Sequence, residues 1–437
     1  MRKVFFLMAF SASLITTVHA GGLMTNTNYH IAFDRMMARG ATFDIDAVYS
    51  NPAGMVWGHE GWQLSINFQK PWQYRDIKVG ETTYEGKASA PIVPALFTSY
   101  KHDRWAVSAM LGIVGSGGFV EYKQGVPMFN LLLQGMLQQN NITPDQYKLD
   151  SEMKGKQYIY GAQVNFSYKI LDCLSVATGF RANYYDGYYR GHVRAIEHPQ
   201  LGDLATLLLD VDQKGWGFTP ILSINYHQGS LTLTARYEFR TKISTKNDTN
   251  VLDAGLGTDV ASILQQANPT ALEAIGTTMA AYTAPYQDGA RTRYDMPALL
   301  SVAAGYEFTP KLRATLEYHF FDDKNAHMAG DRQKELKHGT HEILAGIEYD
   351  INEKFTVSCG AQRTDYGLSD GYQQDTSFAC DSYSIGLGGA WNINERLRLN
   401  AGYFISLYSD YTKPTSYGTE EFSRTNNVIG IGMDFKF

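Results

Sequence analysis

Residues 231–240 read Leu-Thr-Leu-Thr-Ala-Arg-Tyr-Glu-Phe-Arg, and this stretch decides the fold. Leu231, Leu233, Ala235, Tyr237 and Phe239 take every second position; Thr232, Thr234, Arg236, Glu238 and Arg240 fill the places between. In a strand, successive side chains point to opposite faces, so this segment has one apolar and one polar face. The same alternation runs through Leu312, Ala314, Leu316, Tyr318 and Phe320, and again through Leu397, Leu399, Ala401, Tyr403, Ile405 and Leu407. In a soluble sandwich the apolar face would be the core. In a membrane barrel it meets lipid, and the polar face lines the lumen.

Two features select the membrane barrel. Connections alternate short and long. Tight turns fall at His102-Asp103, Leu171-Asp172, His227-Gln228-Gly229, Thr309-Pro310, Asn352-Glu353 and Asn394-Glu395, with long connections near 71–91, 115–155, 194–213, 241–292, 323–338, 367–377 and 410–424. Short turns on one side and long loops on the other are the outer-membrane pattern. Aromatic rings also gather at the short-turn ends, at Tyr100, Trp105, Tyr168, Tyr226, Tyr306, Phe308, Tyr349 and Trp391, where a membrane–water boundary suits them. The expectation is an all-β, antiparallel, transmembrane barrel of fourteen strands over 61–437, ending on Phe437 in the bacterial outer membrane.

Composition agrees. Tyr (29), Phe (22) and Gly (41) are abundant, and three cysteines cannot form a disulfide framework. Cys359 and Cys380 fall on opposite strand faces, so free thiols are expected. A net charge of −6 points away from nucleic acid. At the front, Arg2 and Lys3 precede an apolar run from Val4 to Ile15 and the small-residue exit Val18-His19-Ala20, a signal peptide over 1–20. Gly21 follows, not Cys, which argues against a lipid anchor.

A ring of fourteen strands is too wide for its own side chains to fill and would leak. Residues 21–60 are the only sizeable segment outside the strand series, and Asn26, Asn28, Asp34, Arg35, Arg39, Asp44 and Asp46 suit a polar lumen. They are expected to fold inside as a plug. Within them, Asn51-Pro52-Ala53-Gly54 is a turn, with Pro fixing one dihedral and Gly ending it.

The approach Asp44, Asp46, Ala47, Tyr49 to Asn51, Pro52, Ala53 and Gly54, ahead of a long strand series and a terminal Phe, resembles the FadL-like outer-membrane transporters of long-chain fatty acids and other hydrophobic compounds. The resemblance implies passive transport: capture by apolar extracellular loops, a pocket in the lumen, and sideways exit through a gap at a kinked third strand. The third strand, from Arg104, carries Gly112, Gly115, Gly117 and Gly118, and glycine inside a strand marks a bulge or bend. The Asn51–Gly54 turn is the expected partner of that bend. Phe129, Leu132, Leu133 and Met136 fall near helical spacing in the loop that follows, and Leu204, Leu207 and Leu208 do so in the next. Two such helices would form a greasy groove over the mouth, and Met-rich surface adapts to varied ligands. Asn268-Pro269 opens a third loop helix, read as a lid.

Arg181 and Arg236 lie on lumen parity. They are candidates for a ligand carboxylate, against the commoner role of pairing with neighbouring acids. No nucleophile or metal set stands out: His338 and His341 flank the start of a strand, so their spacing does not place two ligands on a helix face. The expectations are therefore no enzyme, no cofactor, no metal, a monomer, and as partners a hydrophobic small molecule and the lipid and lipopolysaccharide of the outer membrane. The alternative reading is a water-filled general or sugar porin.

Overall fold

The computed structural model describes residues 22–90, 92–138, 141–415 and 417–437; the expected signal peptide lies outside the described residues. Two short helices come first, α1 (Ile31–Met36) and α2 (Ala47–Ser50), then a 3-10 turn, Pro52–Trp57. Fourteen antiparallel strands follow and close into a barrel. They are β1 (Gly61–Val79), β2 (Thr82–Ser89 and Val93–His102) and β3 (Trp105–Tyr122), then, after helix α3 (Pro127–Gln138), β4 (Lys148–Leu171), β5 (Leu174–Ile196), β6 (Ala205–Gln228) and β7 (Leu231–Glu238 and Ser244–Leu256). Helices α4 (Thr258–Ala267) and α5 (Pro269–Thr283) lead to β8 (Arg291–Arg293 and Leu299–Thr309), β9 (Leu312–Phe321), β10 (Thr340–Asp350), β11 (Phe355–Asp365), β12 (Ser382–Asn394), β13 (Leu397–Tyr408 and Tyr411–Thr415) and β14 (Gly418–Lys436).

β1 closes the ring on β14, in register from Gln63↔Lys436 to Val79↔Glu420. The seam is tied at its end by Phe437, whose N–H donates to the Trp62 carbonyl at 2.9 Å. Gly61 makes this possible: its φ is +92°, and a Cβ there would lie 2.7 Å from the Phe437 carbonyl oxygen.

The period-2 face is the outer wall. On β6 the exposed side chains are Trp216, Phe218, Leu222 and Ile224, and on β7 they are Leu231, Leu233, Tyr237 and Phe239. From Trp216 to Tyr226 a tilted strand covers about 25 Å, the height of a lipid-facing belt. Among the described residues no helix is long and apolar enough to cross a membrane.

Three loop expectations are corrected. Within the connection expected at 71–91, β1 and β2 continue as a hairpin, Trp72↔Ser89 to Val79↔Thr82, turning at Gly80. Within 410–424, residues 411–415 and 418–422 pair in the same way, Tyr411↔Phe422 to Thr415↔Gly418. The leucines at 204–208 are not helical. β6 begins at Ala205 and pairs on both sides, Val193↔Leu207 with β5 and Leu207↔Ala254 with β7. Both spacings were present in that sequence, and cross-strand pairing with two long neighbours decided between them. The expected helices at 127 and 269 are α3 and α5, the latter capped by the Asn268 side chain accepting from the Ala271 N–H at 3.1 Å.

Residues 22–57 lie within the ring, bonded to strands around its circumference. Arg35 pairs with Glu348 of β10 and donates to Ser358 of β11 at 2.8 Å. The Arg39 and Gly40 N–H groups donate to Glu317 of β9 at 2.9 and 2.8 Å. His30 contacts Asp434 of β14 and Ser65 of β1, both at 3.0 Å. Internally, Arg39 grips Asp46 with two nitrogens, at 2.6 and 2.9 Å.

Candidate functional site

Among the described residues the barrel ladder is interrupted between β6 and β7, where pairing stops at Ile221↔Glu238 and resumes at Lys214↔Lys246, and between β2 and β3, beside the glycine-rich strand. The β2–β3 ladder runs from His102↔Trp105 to Leu96↔Leu111, then resumes only at Ser89↔Phe119. On its other edge β3 slips register against β4 twice, between Ile113 and Gly115 and between Ser116 and Gly118. Gly112, Gly115, Gly117 and Gly118 all fall within this interval. Two bulges in one strand bend it and leave backbone groups without ladder partners.

Some of those groups are satisfied from inside. Thr25 forms a bridge with Gly115. The Asn26 N–H donates to the Val114 carbonyl at 3.0 Å, and its Nδ2 donates to the Ile113 carbonyl at 2.9 Å. The glycines differ in what they permit. A Cβ on Gly115 would lie 2.5 Å from the Met24 carbonyl oxygen and 2.9 Å from Ile159, so the inner segment approaches there too closely for any side chain. On Gly112 it would make ordinary contacts, 3.7 Å from Ala95 Cβ.

The segment that meets the bend is thus Met24–Tyr29, not the Asn51–Gly54 turn. That turn sits against β4, β5 and β6: Ser167 donates to the Pro52 carbonyl at 2.7 Å, Ser175 to the Ala53 carbonyl, and Asn51 to Asn225 at 2.8 Å. Asn51 also caps its own turn, accepting from the Gly54 N–H at 3.1 Å. A Cβ on Gly54 would collide with that Asn side chain at 2.2 Å. Its role in the fold is to seat the inner segment near the short-turn end.

From the β2–β3 interruption an apolar seam rises through the lumen. Met24, Tyr29, Met110, Val114 and Ile159 are buried beside the bend and join Met296, Tyr294 and Tyr185 in one cluster. Tyr185 stacks on Tyr294 with centroids 5.0 Å apart. The Tyr294 hydroxyl lies 3.3 Å from that of Tyr189, and Tyr189 meets Tyr286 edge-on at 6.1 Å. Tyr286 in turn lines the floor of the loop cluster beside Phe129.

In that cluster α3 and α5 face each other over the long strands. Phe129, Leu132, Leu133 and Met136 border an apolar cleft with Val193, Leu207, Ala254 and Met279. A second, roomier cleft opens between α3 and α4, with Ile142, Leu201, Val260 and Ile275. Leu207 lies in the first cleft, Leu204 is buried in the loop core beneath, and Leu208 falls on the opposite strand face from Leu207. The start of α3 is held by Asp375, whose carboxylate accepts from the Met128 N–H. Burial, reinforced by the nearby Glu420 charge, pushes the Asp375 carboxyl up to about 8.

Arg181 and Arg236 face inward and are engaged with the barrel and the inner segment. Arg181 pairs with Glu238 and donates to Gln163 and Asn183 at 3.2 and 3.1 Å. Arg236 donates to the Tyr49 carbonyl, lies 4.1 Å over the Tyr49 ring and sits 3.2 Å from Glu238. His341 contacts the Tyr318 hydroxyl at 2.7 Å, and no metal-binding cluster occurs among the described residues. The three cysteines are unpaired, with Cys359 exposed and Cys380 buried.

No protein-family profile matches the chain, and no curated protein matches it. Solved structures do. A Pseudomonas aeruginosa FadL homologue superposes with a TM-score of 0.67 at 14% identity, covering 95% of this chain and 100% of that one. The Pseudomonas putida toluene transporter TodX gives 0.61 at 14% identity, with 97% and 100% covered. The Ralstonia pickettii toluene transporter TbuX gives 0.54 at 15%, with 96% and 99% covered. The chain has the fold of these channels, a closed fourteen-stranded antiparallel barrel with helical loops over its mouth.

Proposed function

We propose that this protein carries small hydrophobic molecules passively across the bacterial outer membrane. A ligand settles in the cleft between α3 and α5, descends along the tyrosine and methionine seam, and leaves sideways into the bilayer between β2 and β3. Residues 22–60 act as the plug that closes the direct route along the barrel axis. The observation that carries this reading is the break in the β2–β3 ladder, because the lumen's continuous apolar seam ends there. Unpaired backbone is tolerated at membrane depth only where protein or a cavity covers it, and here the inner segment covers it. The structural neighbours named as toluene transporters fit a ligand of this class. An open water-filled pore fits poorly, since residues 23–38 are buried almost throughout.

A staple tests the exit. A Cβ on Gly112 would lie 3.7 Å from that of Ala95 across the lower edge of the gap, within disulfide range. The double substitution Ala95→Cys and Gly112→Cys should form a bond that holds β3 against β2. Uptake of a radiolabelled fatty acid or toluene by cells carrying the oxidised protein should fall several-fold and recover with reductant. Unchanged uptake by the fully oxidised, folded barrel would remove this exit from consideration.

A further inference from the structure

On the outer wall, β6, β7 and β8 carry a cluster of cations that no transport step uses. The register sets Lys214 of β6 opposite Lys246 of β7, and Lys246 opposite Arg291 of β8. Lys242, four residues before Lys246, stands in the break between the two pieces of β7. All four are exposed. Their neighbours are neutralised: Arg293 pairs with Asp295, and Arg190 pairs with Asp210 and Asp212. Among the described residues no ion pair engages Lys214, Lys242, Lys246 or Arg291.

Like charges placed opposite one another on adjacent strands destabilise a sheet. Three in a row therefore cost stability unless an anion lies across them, and the chain as a whole is acidic, at −6. Their height on the wall indicates which anion. Lys214 is two residues beyond Trp216 on the same face, and Trp216, 59% exposed, is the last large ring of the β6 belt. The row sits where the apolar belt ends and lipid head groups begin. Asp212 and Asp248 stand one step farther out, opposite each other, and Asp212 is held by Arg190.

We infer that Lys214, Lys246 and Arg291, with Lys242 beside them, bind the phosphate groups of an outer-leaflet lipid whose acyl chains lie along Trp216 and Phe218. Cations just outside a membrane attract anionic head groups, and an apolar strip below them holds the chains. The inference rests on the outer-membrane setting of the proposed function but not on transport.

The test is binding of diphosphorylated lipid A to the purified full chain in detergent, read by native mass spectrometry. The triple variant Lys214→Gln, Lys246→Gln, Arg291→Gln should bind roughly tenfold or more weakly. Dephosphorylated lipid A should bind wild type no better than the intact lipid binds that variant. A control triple at the short-turn end, Lys311→Gln, Lys354→Gln, Arg396→Gln, should bind as wild type does. Heat-modifiable gel migration shows that each barrel is closed, and Lys246→Gln alone breaks the row at its centre should the triple fail to fold. Wild-type affinity in the folded triple, or in Lys246→Gln where only that folds, overturns the inference. So does an equal loss in the control triple. Apolar uptake, measured on the same variants, reports separately on transport.

Discussion

Gly112 and Gly115 are three residues apart in one strand, and only one of them must be glycine. At Gly115 the inner segment lies against the backbone, and a Cβ would overlap the Met24 carbonyl. At Gly112 there is room for a methyl group. Gly115→Val should therefore push Met24 and Thr25 off the strand, lose the Thr25–Gly115 bridge, and lower uptake of an apolar tracer several-fold. Gly112→Ala should leave uptake near wild type. Uptake in cells, with gel migration to verify folding, separates the two; equal effects would mean that the glycines act only through strand propensity. The sequence reading could see that glycines crowd this strand. It could not see which faced the inner segment, because that contact joins residues about ninety positions apart. The Asn51–Gly54 motif shows the same limit. Its internal geometry, Asn capping a turn that Gly completes, is local and legible; its seat against Ser167, Ser175 and Asn225 joins residues more than a hundred positions apart and is not.

At the scale of elements, α3 is the piece whose attachment can be tuned. Its first turn rests on Asp375, buried near Glu420, with Lys413 3.8 Å from Glu420 as the nearby cation. Burial and the Glu420 charge raise the Asp375 carboxyl, whereas the Met128 N–H bond from α3 lowers it, so the rise belongs to the surroundings of Asp375 and not to the contact that docks the helix. Asp375→Ala, which removes the acceptor, should speed amide exchange over the first turn of α3 several-fold, and Asp375→Asn, which keeps an acceptor oxygen, should stay near wild type. Equal exchange in wild type and Asp375→Ala would show that this contact does not hold the helix. The strands were legible wherever one face meets lipid, since lipid imposes alternation. Above the belt, at residues 72–89 and 411–422, the sequence does not announce them, because both faces of the wall there are partly polar. The Leu204–Leu208 stretch is ambiguous for a different reason: Leu204, Leu207, Leu208 and Val211 satisfy helical spacing, and only the presence of β5 and β7 on either side makes it a strand.

For the whole molecule, the barrel and the segment inside it depend on different forces. The wall is a ring of strands held mainly by backbone hydrogen bonds. The inner segment is held by apolar packing against the wall and by buried side-chain charges, with Arg35 on Glu348 and Arg39 on Asp46 as the pairs. Removing one partner of such a pair costs about 3–5 kcal/mol, because the other charge stays buried without it. Glu348 would keep Arg313, at 2.8 Å, so the loss falls on the inner segment more than on the wall. Arg35→Ala with Arg39→Ala should accordingly give a closed, heat-modifiable barrel whose residues 22–60 are cut by protease. A ring of fourteen strands lies between those that side chains fill and those that hold a water channel, so the loosened barrel should conduct ions across a planar bilayer where the wild type is nearly silent. Steady conductance by the wild type would favour the porin alternative over lateral release. A sealed, protease-resistant double variant would instead place the anchoring in the remaining contacts, the His30–Asp434 pair and the Glu317 carboxylate that accepts the Arg39 and Gly40 amides.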